Sequence, residues 1–95
     1  MALYVISWLD KPGSLDLRMA TREEHLAYAA SVGDRVKLGG PYLDDTGRMI
    51  GSLMIIEADS LEQAQAFHDQ DPYKLAGLFD ASKITPWRAT LKNLA

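Results

Sequence analysis

Three features of the chain predict an α+β domain with the element order β-α-β-β-α-β. Four runs of strand length are rich in apolar, β-branched and aromatic residues. Two helix-start signatures fall between them, and turn chemistry separates the two middle runs. That order is the ferredoxin-like, split-βαβ arrangement, an antiparallel sheet with helices on one face.

The first strand is read over Leu3–Leu9, a run ended by Asp10-Lys11-Pro12-Gly13. Leu3, Val5, Ser7 and Leu9 point one way, and Tyr4, Ile6 and Trp8 the other. Both sets are largely apolar, which marks a central strand covered on both faces. Residues 10 to 20 show no clear periodicity and read as a connection. Thr21-Arg22-Glu23-Glu24 has the form of a capping box, so the first helix is predicted to start at Thr21. Leu26, Ala29, Ala30 and Val32 supply its apolar stripe, and Gly33 its end.

The second strand, Val36 to Tyr42, contains Gly39-Gly40-Pro41, which suggests an edge, a bulge or a close backbone approach. Asp44-Asp45-Thr46-Gly47 is hairpin chemistry, and Met49 to Glu57 returns as a buried third strand. Ser60 and Gln63 form a second capping box, opening a helix with Leu61, Ala64 and Phe67 inward. Asp71-Pro72 ends it, because the residue before proline disfavours helix. Tyr73 to Leu78 allows one more helical turn. Ser82 to Trp87 is the last strand, marked by Pro86 as an edge or terminal segment. Two helices cover only one face of such a sheet. The other face still carries large apolar side chains, which predicts a homodimer.

Composition bounds the function. Ninety-five residues fit one domain, 1–95, and 47% hydrophobic with 24% charged residues is an ordinary globular balance. Ten Lys plus Arg against 13 Asp plus Glu give a formal charge of −3, and the basic residues are scattered. Neither nucleic acid nor an anionic membrane is therefore expected as a partner. Without cysteine there is no disulfide, thiolate metal site or Cys nucleophile. The N-terminal segment lacks a basic region, and its apolar run is too short for a signal or a span. A cytoplasmic location is expected.

His25 and Asp71 are the candidate chemical groups. Counted from the Thr21 cap, His25 lies one turn into the helix, beside Arg22 and at the border of the apolar stripe. A histidine there titrates near neutral pH and a carboxylate would hold its tautomer; from position alone, a boundary histidine that packs its ring and shows its tip to water is the plainer reading. Asp71 sits at the negative end of a helix dipole, which is unfavourable unless a turn or another partner holds it. His68 reads as a surface histidine at a helix end. No metal and no cofactor is expected: the histidines have no HxxxH or HExxH spacing, and the acidic residues form no calcium loop. Gly39-Gly40-Pro41 is not a phosphate loop, and Ser52 after Gly51 is not a hydrolase elbow. Tyr4, Trp8, Tyr42 and Trp87 read as core or dimer contacts.

The segments Arg22-Glu23-Glu24-His25-Leu26, Gly39-Gly40-Pro41, Gly51-Ser52, Asp71-Pro72-Tyr73, Ala76-Gly77-Leu78 and Pro86-Trp87 resemble the YCII-related family. The resemblance runs over essentially the whole chain, and the Asp-Pro-aromatic segment followed by Ala-Gly is its most specific part. It implies a dimeric α+β barrel in which two sheets face each other, with His25 and Asp71 as an acid–base pair in a cleft. It further implies that Gly40, Pro41, Ser52 and Tyr73 contact a small-molecule ligand; Arg22 would bind a carboxylate or phenolate of that ligand, as a guanidinium does well, or stand as a solvated surface arginine. One branch of the family is a dehydrochlorinase of a chlorinated aromatic. Where members often carry proline shortly before the histidine, this chain has Glu23.

Two functions follow as expectations. In one, His25 and Asp71 act on a small aromatic or hydroxylated molecule by elimination, isomerisation or hydrolysis. In the other, the dimer is a non-catalytic ligand-binding or structural module, and the pair only ties two segments together.

Overall fold

In the computed structural model, which describes residues 2–91, four antiparallel strands form one sheet in the order β2-β3-β1-β4. Strand β1 (Ala2–Asp10) lies between β3 (Met49–Ala58) and β4 (Phe79–Trp87), and β2 (Val36–Leu43) forms the other edge. The strand predicted to be central is central, and those carrying Gly-Gly-Pro and Pro86 are the edges. Proline on an edge leaves no ladder donor missing from the interior of the sheet. The register of β2 shifts between Val36 and Leu38 and again between Tyr42 and Leu43, so the Gly-Gly-Pro segment is bracketed by irregularities.

Alternation along β1 sorts the two faces. Tyr4, Ile6 and Trp8 are buried beneath the helices, with their cross-strand partners Ile56, Met54 and Ser52. Ala58, Ala64, Tyr73 and Leu78 complete this core. On the opposite face lie Leu3, Val5 and Leu9 of β1 with Leu53 and Ile55 of β3. Gly51 is required where the two central strands approach: a Cβ there would overlap the carbonyl oxygen of Trp8.

Helix α1 spans Leu15–Ser31, which corrects two expectations. The segment 10–20 is not a connection: its second half is helical. Thr21 is not a cap either, since its hydroxyl donates to the carbonyl of Leu17, one turn earlier in the same helix. That back-bond satisfies a threonine in a helix interior, so Thr-x-x-Glu need not mark a start. The helix begins after Ser14, whose carbonyl accepts from the amide of Arg18 at 2.9 Å. The inward face is set by Arg18, Thr21 and His25, while Leu26 of the expected stripe is exposed. A helix whose buried face is polar defeats a reading based on apolar periodicity.

Helix α2 (Leu61–Asp69) opens as expected on Ser60, whose side chain accepts from the amide of Gln63. The Gln63 side chain reaches back to the amide of Asp59 at 2.7 Å. Ala64 is fully buried and Phe67 packs at the edge of the core, but Leu61 is exposed. The extra turn is helix α3, Pro72–Leu75. Among the described residues no helix is long and apolar enough to cross a membrane.

Candidate functional site

Asp71 is buried and fixed by the helix it starts. As the cap of α3 it accepts from the amide of Tyr73 at 2.9 Å, with Pro72 in the first helical position where its missing N–H costs nothing. Its reason for sitting after α2 is therefore not the end of α2 but the start of α3. The same carboxylate meets His25, which α1 carries across from the other side. His25 Nδ1 lies 2.9 Å from both Asp71 oxygens. An ionised carboxylate offers only acceptors, so Nδ1 carries a proton, and in the neutral ring the lone pair is on Nε2.

Nε2 makes no hydrogen bond among the described residues. No buried side-chain nitrogen or oxygen there lacks a partner, so Nε2 must face open space. His25 lines a cavity of about 260 Å³ between α1 and the sheet. The ring is held flat: Tyr73 stacks on it at 4.1 Å between centroids, and Trp8 meets it edge-on at 6.1 Å. Arg22, Gly40, Pro41, Ser52 and Tyr73 line the same cavity, and Asp71 stands behind His25.

His68 contrasts with it. Contrary to the expected surface position it is buried, its Nδ1 2.9 Å from an Asp69 oxygen and its Nε2 2.9 Å from the Ser82 hydroxyl. Both ring nitrogens are used, which ties α2 to β4 and leaves nothing for a ligand. The hydrogen bond from His68, helped by Gln65, holds the exposed Asp69 carboxyl below its usual range.

Arg18 is the site residue that the sequence reading missed. It is 3% exposed, paired with Asp10 at 2.7 Å through Nε, and donates through Nη2 to the Gly51 carbonyl and the Ser52 hydroxyl. Asp10 also accepts from the Trp8 indole at 3.1 Å. The guanidinium lies 4.9 Å from the centre of the Tyr73 ring, so Tyr73 has Arg18 and His25 as neighbours. Burial raises the Tyr73 phenol above its ordinary range, against the opposing pull of Arg18 and Arg22. The available signal was eight-residue spacing between Asp10 and Arg18, which carries no pattern until helix α1 is known to begin at Leu15.

Comparison with known proteins agrees with this architecture. The YCII-related domain matches residues 2–88. Protein YciI of Escherichia coli O6:H1 is 38% identical over 94 residues, covering 90% of this chain and 96% of the relative. An uncharacterized protein of Haemophilus influenzae is 32% identical over 93 residues, covering 90% and 95%. Among solved structures, the 5-chloro-2-hydroxyhydroquinone dehydrochlorinase of Burkholderia phenoliruptrix, in complex with 2,5-dihydroxybenzoquinone, superposes with a TM-score of 0.84. It is 36% identical, and the match covers 90% of this chain and 93% of that one.

Proposed function

This chain belongs to the YCII-related family, and from that premise we propose that it is an acid–base enzyme acting on a small hydroxylated aromatic molecule. One observation carries the reading: His25 is held through Nδ1 by both oxygens of a buried carboxylate while Nε2 is left to a cavity. A general base needs a fixed tautomer and a free nitrogen within reach of its proton, and this arrangement supplies both. Arg22, Gly40, Pro41, Ser52 and Tyr73 form the walls against which a planar molecule would lie.

The chemistry we propose is elimination of HX. His25 carries a proton from a ring hydroxyl to the carbon bearing the leaving group X. It then takes the proton of a second hydroxyl as X departs with its bonding pair. The sum is loss of one HX and formation of a quinone, with no change in the number of electrons. Support for this class comes from the 36% identical relative, a dehydrochlorinase. A purely structural tie has its own support, since Asp71 also caps α3.

Halide release and quinone absorbance, measured with 5-chloro-2-hydroxyhydroquinone, separate the two. His25→Ala should lower kcat by about 10²–10⁴-fold with the fold intact, the range for loss of a general base. Asp71→Asn should lower it while shifting the His25 ring tautomer, read by ¹⁵N chemical shifts. A His25→Ala protein that turns over at the wild-type rate sinks the acid–base role.

A further inference from the structure

We propose a second chemical centre on this chain: Ser82, activated by His68 and oriented through Asp69, is a nucleophile for acyl transfer from a small aryl ester. It shares no residue with the His25 cavity, so it stands or fails apart from the acid–base reading of that cavity.

The direction of two hydrogen bonds carries it. Asp69 Oδ1 lies 2.9 Å from His68 Nδ1 and accepts from the Gln65 side-chain amide at 2.9 Å. These bonds favour the ionised carboxyl. A carboxylate only accepts, so Nδ1 bears the proton and the lone pair of the neutral ring is on Nε2. Ser82 Oγ is 2.9 Å from Nε2, so its hydroxyl donates to that lone pair. A hydroxyl, a base and a carboxylate in series are the arrangement that activates a serine. His68 has no nitrogen left for a ligand, but the hydroxyl it engages is open. The ring is 5% exposed and packs beside Phe79, whereas Ser82 faces solvent.

The backbone supplies a donor for the developing oxyanion. Along an antiparallel strand, amides alternate between the partner strand and the other side. Proline has no N–H, so Pro86 on the edge strand β4 takes an outward position. The β1–β4 register is unshifted from Ala81 to Trp87, so Ser82, four residues earlier, also points its amide outward. Pro41 on the opposite edge gives the same parity through Ser52 and Trp8. Pairing with Trp8 also puts the Ser82 side chain on the helical face. Ser82 Oγ then adds to the ester carbonyl carbon while Nε2 takes the hydroxyl proton. The bond from that carbon to the aryloxy group breaks, and the imidazolium returns the proton to the departing oxygen. Water, giving a proton to the same Nε2, releases the acyl group as a carboxylic acid and restores Ser82. The sum is ester plus water to acid plus phenol. An open strand edge grips little of a substrate, so the leaving group sets the class, and a phenolate departs readily.

Two probes test this: 4-nitrophenyl acetate, followed by release of 4-nitrophenolate, and diisopropyl fluorophosphate, whose adduct is located by peptide mass spectrometry. Wild type is compared with Ser82→Ala and Asp69→Asn. Both positions are exposed, so both variants should fold, which circular dichroism melts establish. All three proteins keep His25, so any ester cleavage by its free imidazole is common to them. The fluorophosphate should add to Ser82 of wild type. Ser82→Ala should lower the rate of 4-nitrophenolate release by about 10²-fold or more and take no adduct. Asp69→Asn should lower the rate about tenfold, the worth of one charge-assisted hydrogen bond, and slow the labelling of Ser82 with it. Equal release by wild type and either variant overturns the proposal. An adduct on another residue in place of Ser82 overturns it too, as does a wild type that takes none.

Discussion

Arg18 and Asp10 show how much of this site is held by one buried ion pair. Removing one partner leaves the other as a buried, uncompensated charge, which typically costs about 3–5 kcal/mol. Asp10→Ala should lose that much in urea unfolding, more than an exposed carboxylate would, because Arg18 and the Trp8 indole lose an acceptor together. The phenol of Tyr73 sets a second expectation. Its pKa is raised in the folded chain by burial, so its contribution to stability is fully present below the unfolded value near 10 and is lost as pH rises through the folded one. Urea midpoints measured into the alkaline range should therefore fall more steeply for wild type than for Tyr73→Phe. Equal slopes would mean that the phenol is not shielded. Neither residue announced its role in the sequence equally. Asp71-Pro72-Tyr73 is a compact motif whose neighbours in the chain are its neighbours in space, whereas Arg18 meets Gly51 and Ser52 across 33 and 34 residues.

At the scale of elements, strands were more legible than helix α1. The nearly continuous apolar run Leu3–Leu9 and proline in the last run mark a central and an edge strand directly, because a strand covered on both faces demands apolar side chains pointing both ways. Helix α1 buries Arg18, Thr21 and His25 instead, so its functional face erased the apolar signal by which a helix start is found. The cavity walls were legible where glycine and proline made them, and illegible where a charged residue was turned inward. Met19 discriminates the two positions for the helix start. It is exposed, so proline there would be tolerated in a connection, but within α1 it removes a helical hydrogen bond and clashes with the preceding turn. Met19→Pro should cost about 3 kcal/mol or more in thermal unfolding. His68 is the corresponding pin for α2. With both nitrogens engaged, His68→Ala should destabilise by about 1–3 kcal/mol, because a buried ring packed beside Phe79 and its hydrogen bonds are lost together, without altering ligand affinity in the His25 cavity.

At the scale of the molecule, the sheet face opposite the helices is unlike a finished surface. Leu9, Leu38 and Trp87 are 50%, 46% and 42% exposed there, and Val5, Leu53 and Ile55 lie between them. Polar groups interrupt the patch at Lys83, Thr85, the Ser7–Tyr42 hydroxyl pair, whose oxygens are 2.8 Å apart, and Glu57 opposite Leu3, which is paired with Lys37 at 3.9 Å. A chain of this size buries only about 60–65% of its unfolded surface, so covering such a face adds stability that the core alone lacks. We propose that a second copy covers it, sheet on sheet. A two-fold pair presents each apolar strand to its equivalent and leaves both His25 cavities on the outer, helical sides. Leu38→Glu tests this without damaging the single chain. At an already half-exposed edge position the change should alter monomer stability by no more than about 0.5 kcal/mol. Across a dimer interface it buries two like charges, one from each copy. Sedimentation across a micromolar dilution series should give twice the chain mass for wild type and the chain mass for Leu38→Glu, and the melting temperature of wild type alone should rise with concentration. A wild-type protein that sediments as a single chain at every concentration would leave the patch without this partner.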